Sequence, residues 1–234
     1  ILNWPTGITR GYGGDVAPVF DNRGYYRVGA PDIGAFEFGA SKYLLALGDD
    51  IENNDTHSLR RITLIREFQG KKPKIHPTAF VSEFAYVIGD VEIDEYTMIL
   101  PGVIIRGDSG KIKIGKRTNI QDNSVVHSDA DSWIGDDSTL GHAVVWHGRI
   151  LSNNCLVGNG AVVNDGVEVG ELSIIAAGSV VLEEARIPER TIVTGIPGKP
   201  RGETTEKHHE LIKRTASHYT QRGKNYKAEG GLEG

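Results

Sequence analysis

The sequence predicts an all-β protein: a left-handed parallel β-helix with one α-helix packed along it. Three observations carry this expectation. An aliphatic residue returns at six-residue spacing between Ile75 and Val181, with a few breaks in register. A small or β-branched residue stands four places after most of these. Thirty glycines against 7% aromatic residues point to many tight turns rather than a core of large rings.

The repeat opens with Ile75, Val81, Val87, Ile93, Ile99 and Ile105, with Ala79, Ala85, Val91, Thr97 and Val103 as fillers. It resumes at Ile114, Ile120 and Val126, and again at Ile134, Leu140 and Trp146. It closes with Leu151, Val157, Val163, Val169, Ile175 and Val181, filled by Cys155, Ala161, Val167, Ser173 and Ser179. Neither a helix, with period 3.6, nor a strand, with period 2, sustains a period of six over such a length. Three hexapeptides make one triangular coil, so these eighteen knobs give six coils and three stacked faces. The first face begins at Ile75, the second at Val81 and the third at Val87, and equivalent slots stack ~4.8 Å apart.

A C-terminal helix is expected over 204–228, where Leu211, Thr215, Tyr219, Arg222 and Tyr226 fall at helical spacing. Thr204 or Thr205 is its candidate N-cap, while His208, His209 and His218 are expected to face solvent. Residues 1–64 lack the period and form an extension to which no function is assigned. Within it, "APDIGAFEFG" (30–39) resembles the tail of a secreted right-handed β-helix protein. The expected division is therefore 1–64, 65–203 for the β-helix, and 204–234 for the helix and tail. A chain that opens at Ile1 with Met98 as its one methionine is expected to be a processed or bounded product.

Net charge −5, with no Lys/Arg run longer than two, argues against a nucleic-acid partner, which needs a basic face. No apolar run approaches the ~20 residues of a membrane span. One cysteine excludes an internal disulfide framework, so a reducing, cytoplasmic setting is expected.

The stretch "LGHAVVWH" (140–147) places two histidines five apart, a spacing that joins side chains on neither a helix nor a strand. The stacked faces resolve it. His147 follows Trp146 on the third face, His127 holds the same slot one coil earlier, and Arg106 lies one rung further. His142 belongs to the second face, between Asp122 and Asn159. Three imidazoles can therefore meet only where two prisms pack side by side, as three-fold closure would arrange. Such a set resembles an open His₃ zinc centre, which brings the pKa of a bound water to about 7. Iron(II) and cobalt suit the same ligands. Register also breaks here: nine residues separate Ile105 from Ile114, and eight separate Val126 from Ile134, a segment that carries Asp129 and Asp131. Insertions in a solenoid usually mark its working side.

"VIIRGDSG" (103–110), "TNIQDNSVVH" (118–127), "LGHAVVWHG" (140–148) and "GIPGK" (195–199) resemble the gamma-class carbonic anhydrases, over roughly Ile75–Tyr226. The resemblance implies a homotrimer with zinc held by His127, His142 and His147, His142 coming from the neighbouring subunit. It implies reversible hydration of CO₂ to bicarbonate, with Gln121 orienting the reacting oxygens. Arg106 and Asp122 match the family's pair across the interface, Asp108 matches the acid of the Arg-Gly-Asp motif, and Tyr219 matches a tyrosine near the site. Ser109 stands where well-known members carry a glutamate, and the loop that holds a proton-shuttle glutamate is short here. A catalytically weak metal-binding scaffold of the same family is therefore an alternative. A hexapeptide acyltransferase is a third reading, though that chemistry employs one histidine and leaves two without a role.

Overall fold

The computed structural model describes residues 64–230, together with the backbone of a short antiparallel ladder pairing Val19–Phe20 with Tyr26–Arg27. The "APDIGAFEFG" segment lies outside the described residues.

The six-residue period becomes a three-faced parallel β-helix. On the first face Ile75, Ile93, Ile114, Ile134, Leu151 and Val169 pair in unbroken register. On the second, Val81, Ile99, Ile120, Leu140, Val157 and Ile175 do the same. The third stacks Val87, Ile105, Val126, Trp146, Val163 and Val181. Nearly all these side chains are buried, and together they form one continuous core. The ladder runs further than the six expected coils. Ile187 and Val193 continue the first and second faces, and Ile65 precedes Val87 on the third, giving about seven turns. The final strand, Lys199–Glu203, folds back antiparallel on Thr191–Thr194 and covers the open edge of the second face.

The corners show why this sequence turns where it does. Three residues after every knob from Ile93 to Ile187 except Ile105, Val126 and Trp146 the backbone adopts positive φ, from Tyr96 to Arg190. Gly102, Gly160, Gly166 and Gly178 take that conformation without a Cβ penalty, and Asn123 and Asn154 tolerate it. The filler hydroxyls stitch successive coils together: Thr97 Oγ1 donates to the Gly115 carbonyl at 2.6 Å, Thr118 Oγ1 to Gly135 at 2.6 Å, and Ser124 Oγ to Gly141 at 2.8 Å.

Around the absent corners the chain departs from the simple hexapeptide. The three extra residues after Ile105 extend a strand, Ile104–Ile114, that runs from the third face onto the first. Gly110 is required within it, because a Cβ there would stand 2.0 Å from the Ala130 carbonyl oxygen. The spacing of five between Trp146 and Leu151 closes over the buried indole. Trp146 Nε1 donates to Ser132 Oγ at 3.1 Å, and Ser132 Oγ donates to the Gly148 carbonyl at 2.7 Å.

The helix, α1, spans Glu206–Ala228 with Thr205 as N-cap, and packs on the strands of the second face. Its buried stripe is shifted from the expected one: Ile212, Ala216 and Gly223 are buried, and Tyr219 and Tyr226 pack on Phe80, Met98 and Leu100. Leu211 is exposed. Small residues allow close approach and so define the contact face, whereas a search for large apolar residues selects its neighbour. His209 is a second correction. It is not solvent-facing but tucked against Thr204, with Nε2 2.9 Å from Oγ1. His208 accepts the Thr205 N–H at the helix start, and His218 is exposed, as expected.

The outward rows differ sharply between faces. The first face presents Lys74, Glu92, Lys113, Trp133, Ile150, Glu168 and Arg186, with Lys111–Glu92 at 2.8 Å and Arg186–Glu168 at 2.6 Å. The third face presents Tyr86, Ile104, Val125, Val145, Val162 and Val180, an unbroken apolar row with Ile104 and Val145 about 40% exposed. Among the described residues no helix is long and apolar enough to cross a membrane.

Candidate metal centre

The third face brings two of the candidate ligands together. Arg106 and His127 are paired across adjacent strands, and His147 follows Trp146, which pairs with Val126. The two rings meet, with His127 Nδ1 2.8 Å from His147 Nε2. Each outer ring nitrogen faces a carboxylate: His127 Nε2 lies 3.1 Å from Asp108 Oδ1, and His147 Nδ1 lies 2.6 Å from Asp165 Oδ1. Arg106 Nη1 donates to the other oxygen of Asp108 at 2.5 Å. Burial would by itself raise the Asp108 pKa, but hydrogen bonds from Arg106 and His127 outweigh it and hold the carboxyl below its ordinary value. His127 is the more enclosed ring, its side chain 10% exposed.

The third candidate ligand, His142, stands apart on the second face. His142 Nδ1 lies 2.9 Å from Asp122 Oδ2, and its backbone N–H donates to Asn159 Oδ1 at 3.0 Å, the rungs expected on either side. Gln121 is buried, and its Nε2 donates to Asn119 Oδ1 at 3.0 Å, while Asn119 Nδ2 donates to Thr139 Oγ1 at 2.8 Å. That chain of amides fixes the orientation of the Gln121 head group. Tyr219 reaches this face from α1. Burial raises its hydroxyl pKa and the nearby Asp122 charge adds to the rise, against the opposing charge of Arg222.

One chain therefore brings His127 and His147 together with Arg106 and Asp108, and sets His142 against Asp122 elsewhere, with Gln121 bonded to Asn119 and Tyr219 packed on Phe80, Met98 and Leu100. Among the described residues the cluster able to hold a metal is His127, Asp129 and His147, with donor atoms within 4.8 Å of one another; His142 is not in it. The donor set fits a divalent metal: two imidazole nitrogens stand 2.8 Å apart, and a carboxylate lies behind each ring, as second-shell groups do. Cys155 is no ligand candidate. It is buried as a filler, and burial pushes its thiol up to about 12.

Two residues of the site were not assigned to it from sequence. Asp165 lies two places after Val163, the rung beyond Trp146, and stacking of adjacent slots rather than identical ones would have found it. Asp129 was legible only as part of an acidic loop.

No protein-family model matches the chain. The chain is 36% identical over 173 residues to gamma carbonic anhydrase 2, mitochondrial, of Arabidopsis thaliana, covering 70% of this chain and 62% of that protein. It thus spans less than two thirds of the length of that plant relative. A carbonic anhydrase of Geobacillus kaustophilus is 38% identical over 167 residues, covering 70% of this chain and 92% of that one. A solved hexapeptide transferase family protein from Anaplasma phagocytophilum superposes with a TM-score of 0.67 at 34% identity, over 69% of this chain and 97% of that one. With its hexapeptide β-helix, its histidines divided between two faces and these identities, the chain belongs to the gamma-class carbonic anhydrase family.

Proposed function

We propose that this chain is a metal-dependent carbonic anhydrase that hydrates CO₂ reversibly to bicarbonate, at centres completed by neighbouring chains of a homotrimer. The observation that carries this reading is the division of the three histidines: two converge on the third face, and His142 stands on the second with Asp122 and Gln121. Bringing the His127–His147 pair of one chain against the edge of the next chain's second face that carries His142 would complete a His₃ set, and three-fold closure repeats it. The apolar row from Tyr86 to Val180 supports this, since a second copy would cover it.

His127, His147 and His142 of the partner subunit would hold zinc, with iron(II) and cobalt(II) suiting the same ligands. The metal, when bound, supplies a water acidified to a pKa of about 7 and hence a nucleophile near neutrality. Asp108 Oδ1 and Asp165 Oδ1 hold the protons of the outer ring nitrogens, keeping the inner ones as donors. Gln121, its Nε2 engaged by Asn119, presents a fixed amide to orient CO₂ oxygens. Arg106 and Asp122 would pair between chains, and the Tyr219 hydroxyl would line the second-face side. Two carboxylate-backed imidazoles favour a metal centre over a lone histidine base for acyl transfer. Cys155, buried and the one cysteine of the sequence, fits a reducing compartment such as the cytoplasm.

Complementation tests the shared site. His127→Ala and His142→Ala chains should each be inactive in stopped-flow CO₂ hydration. Unfolded and refolded together in equal amounts with zinc, they should regain about a quarter of the parent activity, since one face pairing in four joins two intact halves under random three-fold assembly. No recovery from well-folded mixed trimers, alongside an active parent, would exclude a shared centre. An inactive parent carrying one metal per chain would leave a scaffold.

A further inference from the structure

We infer that an unassembled chain already holds a metal through His127, Asp129 and His147, and that Asp129 gives up its place to His142 of the partner subunit on assembly. The inference rests on the proposed shared centre and adds a step before it.

The donor set is complete in one chain. One atom from each of the three residues lies within 4.8 Å of the other two, and the His127 and His147 nitrogens are 2.8 Å apart. Two imidazoles and a carboxylate are an established ligand set for zinc and iron(II). The supporting carboxylates are also in place, Asp108 behind one ring and Asp165 behind the other. Nothing in this arrangement requires a second chain.

The position of Asp129 has a structural cause. It stands three residues after Val126, the slot that turns the corner with positive φ in most of the coils, and here, as after Ile105 and Trp146, it does not. The turn is instead pinned from outside. Lys111 N–H donates to Asp131 Oδ1 at 2.9 Å, Ala130 N–H reaches Ser128 Oγ at 3.4 Å, and Gly110 leaves room for the Ala130 carbonyl. Asp129 is thereby held beside the two rings while remaining exposed, and among the described residues it has no hydrogen bond or ion pair of its own. His142 in the same chain is occupied by Asp122. An exposed carboxylate on a short loop can dissociate as an anion when a neutral imidazole takes its place, with no proton or electron transferred. Metal loading can then precede trimer formation.

The test is metal content after gel filtration, with cobalt(II) absorption as a second readout, on full-length parent, Asp129→Asn, His142→Ala and the double variant. The His142 side chain is half exposed and Asp129 is exposed, so neither substitution disturbs the core. His142→Ala should retain about one zinc per chain, and adding Asp129→Asn should weaken its zinc affinity at least tenfold, the order expected for removal of a ligand or its direct support. Asp129→Asn alone should keep its zinc in the trimer. If His142→Ala loses zinc while the parent keeps it, or if the double variant binds as tightly as His142→Ala, the Asp129 step is wrong and the shared centre stands. A folded parent that binds no metal removes the proposed function itself.

Discussion

Replacing Asp165 tests the carboxylate-backed ring most directly. Its Oδ1 lies 2.6 Å from His147 Nδ1, and it sits at the surface with its side chain 50% exposed. Loss of a carboxylate behind a ligating histidine costs 10–100-fold in metal affinity, or about 1.4–2.7 kcal/mol. Water can replace an exposed acceptor, which places Asp165→Ala near the lower end, at roughly tenfold. Asp165→Asn keeps an oxygen in place without its charge and should cost only ~3-fold, since a neutral hydrogen bond is about half as strong as a charge-assisted one. Asp108→Ala should be the most severe, near ~100-fold, because it strips the more enclosed His127 of its partner and leaves Arg106 without its own. Competition with a chelator, followed by cobalt(II) absorption, gives the three affinities. The reasoning fails if Asp165→Ala binds as tightly as the parent, or if Asn is worse than Ala at this position.

Gly223→Ala should stabilise the protein by about 0.5–1 kcal/mol through helix propensity, because the new Cβ meets Phe80 and Met98 at ordinary contact distances of 3.5 and 3.6 Å; a lower melting temperature would show the helix seat to be tighter than that. Trp146→Ala should cost about 3–5 kcal/mol in urea unfolding, as a fully buried ring is removed and Ser132 loses its indole donor. A cost near 1 kcal/mol or less would mean that the coil collapses around the gap. Cys155, with its thiol pushed up to about 12, should resist a thiol reagent at pH 8 in the native state and react fully once unfolded; rapid native labelling would contradict its burial.

The fold was legible because a period of six leaves few alternatives. All eighteen knobs read from the sequence pair in the expected register, and the ladder exceeds them only at its two ends, at Ile65 before Val87 and at Ile187 and Val193, which a hairpin follows instead of another coil. The third-face ladder of Arg106, His127 and His147 was legible for the same reason, because equivalent slots stack. What escaped depended on side-chain direction. Asp165 approaches His147 from the neighbouring slot, and Asp129 reaches the rings because a corner fails to form. The contact stripe of α1 escapes a search for large apolar residues because Ala216 and Gly223 mark a close approach by what they lack. Whether the two halves of the site meet is a property of two chains, and a ladder within one chain does not encode it.

The uniform stacking also governs how the molecule comes apart. Ladder partners are close in sequence: Trp146 pairs with Val163, 163 − 146 = 17 residues on, and Ile93 with Ile114, 114 − 93 = 21. Each coil holds only its two neighbours, so stability behaves as a one-dimensional chain of nearest-neighbour couplings. Such a chain frays from its ends, and protection from hydrogen exchange should rise towards the middle. The coils of Val126 and Trp146 are the fourth and fifth of the seven on their face, counted from Ile65. His127 and His147 therefore stand where opening is rarest, and the ends can breathe without loosening the histidine pair.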